Sequence, residues 1–314
     1  MKGLVKKIGF IFMAVVLLTS VIASCNGAPA TTSTGPTVIT DQLGQTVTLA
    51  TTHPQRIVSL APSNTEILFA LGLGDRVVGV TDYDDYPPEA KTKTSVGGYV
   101  DPNMEVIVSL KPDLILGTEA QSESTYKEIQ AQGLTIVGIS PKTLDQILDS
   151  ITLIGKITGA EKEAKTLTDS MQKRIKAVTD KTAKLSADQK PSVFYIVWND
   201  PLMTAGKGTF IDELITKAGG INIFGDQENY PTVSLENVLT ANPQIIIAGS
   251  GMGEGEDLPY QYATNETLLK DTAARVNNRV YAVNTDITGR PGPRIVDALE
   301  EFLADIHPEL RNQP

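Results

Sequence analysis

Aromatic rings at turns are the residues of this 314-residue chain best suited to chemistry, and that chemistry is stacking rather than bond-making. Tyr83 and Tyr86 lie in Thr81-Asp-Tyr-Asp-Asp-Tyr-Pro-Pro88, Tyr99 follows Gly97-Gly98, Trp198 precedes Asn199-Asp-Pro201, and Tyr230 precedes Pro231. A loop aromatic loses little side-chain entropy and offers a flat face to a planar ligand. One such ring alone is more often a lid on its own loop. Recurrence just after strand-like runs points instead to a site, because ligands of open α/β sheets bind beyond the carboxyl ends of the strands. Groups for catalysis are scarce. His53 and His307 are the two histidines, too few for a histidine-rich zinc or iron centre. No Gly-x-Ser-x-Gly elbow occurs. The stretch Gly251-Met-Gly-Glu-Gly-Glu-Asp257 is glycine-rich but acidic, which suits a surface loop better than a phosphate cradle. Gly72-Leu-Gly74 lacks the rest of a dinucleotide fingerprint and reads as a helix stop.

The elements that must position these rings alternate. Arg56–Leu60 reads as a strand, Asn64–Leu71 as a helix capped by Ser63 or Asn64, and Arg76–Val80 as a strand. Met104–Leu110 is helical until Pro112, Asp113–Gly117 is a buried type of strand, Ser122–Gln132 is a helix ending at Gly133, and Leu134–Ile139 is a strand. From Thr143 to Leu185 the spacing is helical throughout, divided by Gly159. Its second piece, Ala160–Lys184, predicts a helix of about 37 Å, long enough to join two lobes. A strand at Ser192–Val197 opens a second alternating series. That series echoes the first. Glu105-Val-Ile-Val-Ser-Leu-Lys-Pro-Asp-Leu-Ile-Leu-Gly117 aligns with Glu236-Asn-Val-Leu-Thr-Ala-Asn-Pro-Gln-Ile-Ile-Ile-Ala248 at a spacing of 131 residues. In each, an acid opens a short helix, where it complements the dipole by about 0.3–1 kcal/mol, and a proline then leads into a strand. Alternation of this kind argues for parallel sheets covered by helices. The fold class is α/β, with two Rossmann-like lobes joined by a single long helix and a cleft between them.

The N-terminus says where the body works. Lys2, Lys6 and Lys7 precede an apolar run, Ile8–Val21, which ends in Ile22-Ala-Ser-Cys25. This is the layout of a secretory signal, and the run is marginal for a membrane span of about 20 apolar residues. Cys25 is the sole cysteine and has no disulfide partner within the chain. A lone thiol after a small-residue cut site resembles the lipobox of bacterial lipoproteins, in which the cysteine becomes the lipidated first residue. The polar, breaker-rich Asn26–Pro36 suits a flexible tether. The formal charge of −10 grows more negative when the three signal lysines are lost, which disfavours nucleic acid and phosphate-rich partners. The predicted organisation is a signal peptide at 1–24, lipidated cysteine and tether at 25–36, an N-terminal α/β lobe at 37–158, an inter-lobe helix at 159–187, and a C-terminal α/β lobe at 188–314.

The motifs Arg56-Ile-Val-Ser-Leu-Ala-Pro-Ser-Asn-Thr-Glu-Ile-Leu68, Val78-Gly-Val-Thr-Asp-Tyr-Asp-Asp-Tyr-Pro-Pro-Glu-Ala90 and Lys111-Pro-Asp-Leu-Ile-Leu116 resemble periplasmic cobalamin-binding proteins of the BtuF type. These lie within the wider group that also binds ferric siderophores and haem. The likeness covers essentially the whole mature body, and its fold is two α/β lobes on one rigid helix, so small lobe motion is expected. The resemblance implies an aromatic cleft for cobalamin or another corrinoid, built here from Tyr83, Tyr99, Trp198 and Tyr230, with polar contacts from Asp286 and Arg290. Tyrosine stands at 99 and 230 where the resemblance leads to tryptophan, which keeps a stacking face. The resemblance also implies that Glu105 and Glu236 face arginines on the two permease subunits of an ABC importer with a cytoplasmic ATPase. The expected molecule is a monomer without covalent cofactor or metal, anchored at Cys25 to the cell membrane and facing the periplasm or cell exterior. A ferric siderophore or haem is the alternative ligand. An extracellular enzyme on the same frame would need a metal cluster or a base in the cleft, where carboxylates and tyrosines are on offer.

Overall fold

The computed structural model describes residues 37–251 and 257–311; the signal, Cys25, the tether and most of the 251–257 glycine stretch lie outside the described residues. An antiparallel hairpin, β1 (Thr37–Thr40) and β2 (Thr46–Leu49), opens the body and has no counterpart in the sequence reading. Buried Asp41 holds its turn, accepting from the Leu43 and Gln45 amides, and ties it to the first sheet by accepting from the Gly138 amide at 2.8 Å.

The first sheet is parallel throughout. Its strands are β3 (Ile57–Ser59), β4 (Val77–Val80), β5 (Thr94–Ser95), β6 (Leu114–Gly117) and β7 (Ile136–Gly138), in the order β5-β4-β3-β6-β7. Between them run α1 (Pro62–Ala70), α2 (Met104–Ser109) and α3 (Glu123–Ala131). The start of α1 differs from the expected cap. Pro62 at the first helical position, with its φ preset, does the work, and Asn64 is buried one turn in, where its amide donates to the Gly117 carbonyl. Ser122 caps α3, accepting from the Thr125 amide.

Two helices lead out of this sheet. In α4 (Leu144–Thr158), Thr143 caps the N-terminus and Gly159, at φ +72°, closes the C-terminus in the left-handed conformation that glycine adopts without steric cost. Then comes α5 (Glu161–Thr182), about 33 Å long. Its buried Ala164, Thr168, Met171, Val178 and Thr182 recur at helical spacing, with acids in the first turn and Lys181 in the last. A Cβ on Gly155 would come within 2.4 Å of the Ala164 Cβ, so glycine there lets α4 and α5 approach closely.

The second sheet comprises β8 (Ser192–Ile196), β11 (Ile221–Asn222), β12 (Ile245–Ser250) and β13 (Val280–Asn284), parallel in the order β11-β8-β12-β13. A short antiparallel pair, β9 (Trp198–Asn199) and β10 (Leu202–Met203), precedes α6 (Phe210–Lys217), and α7 (Leu235–Ala241) precedes β12. After β12 come α8 (Leu258–Asn265) and α9 (Ala273–Val276), and after β13 come α10 (Thr285–Gly289) and α11 (Ile295–Ile306). Arg174 of α5 clasps α11 through Glu300 (2.8 and 2.6 Å) and Asp297 (2.6 Å), and holds the Glu300 carboxyl below its ordinary range. One continuous apolar core joins both sheets by way of α4, α5, α6 and α11. Smaller cores fill the opposite face of each sheet.

Candidate functional site

A cavity of about 720 Å³ opens at the carboxyl ends of both sheets, a size suited to a small-molecule ligand. Loops after β3, β4, β5, β6 and β7 line one side of it. Gly208–Phe210, Asn229–Tyr230 and Gly289–Pro291 line the other. In both sheets the chain order reverses beside the first strand, at β3 and at β8, so the cavity lies where open α/β sheets place ligands.

Three of the four sequence-derived aromatics meet there: Tyr83, Tyr99 and Tyr230. Tyr83 is 61% exposed on a tightly held turn. Buried Asp84 accepts from the Thr81 amide (3.0 Å) and the Thr81 hydroxyl, and burial raises its pKa against the pull of those bonds. Tyr99 is half-buried, its Oη 3.3 Å from the Thr118 Oγ1. Tyr230 is 47% exposed, carried on a segment where the Gly206 amide donates to the Asn229 carbonyl and the Thr204 amide to that of Pro231. Protein packed around its hydroxyl nonetheless raises the pKa. Exposed rings around a concave wall are apolar surface that a soluble protein otherwise hides.

Trp198 is not among the cavity-lining residues. It is half-buried in β9, opposite Met203, and its Nε1 donates to the Asp200 carbonyl at 2.9 Å, closing its own turn. Asp286 does not line the cavity either; it pairs with Arg290 Nη2 at 2.8 Å across one turn. Arg290 does line it, 17% exposed, with Nη1 2.5 Å from Asp85 Oδ1. The cavity's other cation, Lys142, is paired with Glu119.

Sequence reasoning missed the rest of this ionic cluster. Glu66 of α1, its side chain 2% exposed, takes two bonds from Arg294, Nε to Oε2 at 2.9 Å and Nη2 to Oε1 at 2.6 Å. Arg290 Nη1 lies 3.7 Å from the same carboxylate. The Arg294 guanidinium also stacks 3.9 Å from the Tyr86 ring centroid, a cation–π contact. Burial raises the Glu66 pKa despite its arginine partners. Asp85 behaves oppositely: burial would raise it, but the bond and charge of Arg290 hold it low. Two clues were legible: Glu66 is a lone acid in an apolar helix, and Arg290 and Arg294 flank a Pro-Gly-Pro turn.

Glu105 and Glu236 lie away from the cavity, in the first turns of α2 and α7. Asn103 and Ser234 cap these helices, accepting from the Val106 and Asn237 amides. Both glutamates are exposed, and neither has an ion pair among the described residues. Val108 and Leu239, one turn further on, are exposed apolar side chains on the same faces. Among the described residues no cluster of three or more metal-ligating side chains exists, and no helix is long and apolar enough to cross a membrane.

Comparison with known proteins gives a consistent picture. Residues 57–286 match the family model described as periplasmic binding protein. The chain is 35% identical over 318 residues to the ABC transporter substrate-binding lipoprotein YvrC of Bacillus subtilis, covering 97% of this chain and 98% of that protein. The crystal structure of the periplasmic vitamin B12-binding protein BtuF of Vibrio cholerae superposes with a TM-score of 0.70 at 32% identity, covering 83% of this chain and 99% of that one. The periplasmic haem-binding protein RhuT of Roseiflexus sp. RS-1 superposes with a TM-score of 0.71 at 28% identity, covering 82% and 99%.

Proposed function

The chain belongs to the periplasmic binding protein family, and from that premise we propose that it captures cobalamin or a related corrinoid and delivers it to an ABC importer. The carrying observation is the cavity itself: three tyrosine faces surround it, and both of its cations are already neutralised by Asp85, Asp286 and Glu119. A flat, amide-fringed corrin finds stacking surface there. A polyanionic ferric chelate finds no unpaired cation among the described residues that line the cavity. Haem, the ligand of the neighbour RhuT, is the alternative that titration separates from a corrinoid. Visible-spectrum titration with cyanocobalamin, haem and a ferric chelate tests the reading. Saturable binding of the corrinoid alone is expected; saturation by the chelate or haem with no corrinoid binding would sink it.

Delivery needs a docking surface and an anchor. Glu105 and Glu236, each opening a capped helix beside an exposed apolar side chain, supply one charge per half to a two-fold permease dimer. Cys25, outside the described residues, supplies the lipid attachment. Cys25→Ser is expected to move the protein from the membrane fraction to the soluble fraction; retention on the membrane would refute the anchor.

A further inference from the structure

Behind Tyr99 lies a buried amide whose orientation is fixed on every side. Gln121, 4% exposed, follows β6 and does not line the cavity. Its Nε2 donates to two backbone carbonyls, Tyr99 at 2.5 Å and Leu60 at 3.2 Å. Its Oε1 accepts from the Thr118 amide at 2.6 Å and lies 3.4 Å from the Thr118 hydroxyl. A flipped amide would set oxygen against two carbonyls and N–H against N–H, so one orientation survives.

That orientation propagates. The Thr118 Oγ1 already accepts from the Ala120 amide at 3.1 Å. Its proton goes to Gln121 Oε1, because an amide oxygen is a stronger acceptor than a phenolic one. The Thr118 oxygen is then left to accept from Tyr99, whose phenolic O–H is the better donor of the two hydroxyls, across 3.3 Å. Tyr99 spends its proton on the protein, and the free lone pair of its hydroxyl remains for the ligand. Tyr99 and Thr118 both line the cavity, and Gln121 acts through them.

We infer that Gln121 is a positioning residue that sets the hydrogen-bond polarity of Tyr99, so that this edge of the cavity accepts from ligand N–H groups and discriminates carboxamides from carboxylates. The inference rests on Tyr99 belonging to the binding site. A primary amide at the ligand's edge can donate to the Tyr99 oxygen. A carboxylate in the same place meets an acceptor and is repelled.

Two readouts on the full chain separate this inference from the corrinoid reading. In the ligand-free protein, the tyrosine Raman doublet, taken as wild type minus Tyr99→Phe, reports whether Tyr99 donates. A donor signature is expected, lost in Gln121→Met and in Thr118→Val; two variants are used because either alone could fail to fold. In titrations, wild type is expected to prefer cyanocobalamin over its singly hydrolysed monocarboxylic acids by about five- to tenfold, the worth of one hydrogen bond. Tyr99→Phe and Gln121→Met should abolish that preference while still binding. An acceptor signature at Tyr99, or an unchanged preference in both folded variants, overturns the inference. If wild type binds no corrinoid at all, the proposed ligand falls, and the Raman result still decides the polarity of Tyr99.

Discussion

Two stretches of this protein repeat one design at a spacing of 131 residues. Tyr99 and Tyr230 face one cavity; Glu105 and Glu236 open exposed, capped helices; Pro112 and Pro243 lead into the interior strands β6 and β12. The likeness reaches the backbone, since Lys111 and Asn242 both turn with positive φ, +48° and +44°. Asp113 and Gln244, next along, each fasten their strand to the first strand of their own sheet. Asp113 accepts from the Gln55 and Arg56 amides, and Gln244 exchanges bonds with Ser192. The difference lies in the tyrosines. Tyr99 is held at its carbonyl by Gln121 and at its hydroxyl by Thr118. Tyr230 is 47% exposed, with no side-chain hydrogen bond among the described residues. A duplicated frame thus carries one ring whose hydroxyl is tied to the protein and one whose hydroxyl is free of hydrogen bonds among the described residues. Ordering the free ring on binding costs about 0.5–1.5 kcal/mol that the fixed ring has already met during folding.

The sharpest test of the likeness concerns the two glutamates. If the halves present equivalent docking points, Glu105→Ala and Glu236→Ala should each weaken uptake in reconstituted vesicles to a similar degree. The double variant should abolish uptake while binding ligand normally in solution. Normal uptake by the double variant would remove the docking role. A large effect from one glutamate alone would show that the repeat is structural and that docking is one-sided.

The bond between the halves is broken most directly at Arg294. Arg294→Ala leaves Glu66 buried with only the longer Arg290 contact at 3.7 Å, a loss of up to about 3–5 kcal/mol in urea unfolding near neutral pH. The pH dependence has a definite sign. Burial raises the folded-state pKa of Glu66 above its ordinary value, and losing Arg294, which lowers it, raises it further. Folding of the variant therefore takes up a proton, and its deficit relative to wild type should shrink as pH falls through the folded-state pKa of Glu66. A deficit constant across that range would show that Glu66 does not carry the effect.

The repeat was legible in the sequence because its signals are local: an acid opening a helix, a proline ending it, an apolar strand after it. Gly159 was legible for the same reason. The Glu66–Arg294 and Asp85–Arg290 pairs were not, since they join residues 228 and 205 positions apart. Polar residues in loops also lack a periodicity that would pair them. Nor was Gln121, whose role comes from three carbonyl and amide groups brought together by folding. The β1–β2 hairpin escaped because its strands have only four residues each and dock through Asp41, a side chain with no sequence signature for the task.

The fixed and free tyrosines should differ in binding. Tyr99→Ala removes a face whose ordering was completed in folding, so its full contact is lost. Tyr230→Ala removes a face that gives back part of its contact as ordering. With stacking near 0.5–1.5 kcal/mol beyond area burial, both should weaken corrinoid binding, Tyr99→Ala by the larger factor. Calorimetric titration gives the sharper readout, since Tyr230→Ala should also make the binding entropy less unfavourable. Equal affinities and equal entropies would mean that the two rings are ordered alike before the ligand arrives.

The smallest effect is expected at Trp198, and its smallness is informative. Tyr83 follows β4 and Trp198 follows β8, each at a polar turn, yet of the two only Tyr83 lines the cavity. The indole instead spends its N–H on the Asp200 carbonyl, while the backbone of Trp198 pairs with Met203. Trp198→Phe keeps an aromatic face and forfeits one hydrogen bond, for a stability loss of about 0.5–1.5 kcal/mol. Affinity for cyanocobalamin should stay within about twofold of wild type, since under 0.5 kcal/mol of contact is at stake. A tenfold loss of affinity with unchanged stability would place the indole on the ligand, and would require the β9–β10 turn to swing toward the cavity when the ligand binds. The second half would then contribute two adaptable rings against two held turns in the first, making the asymmetry between the halves a division of labour in closing around the ligand.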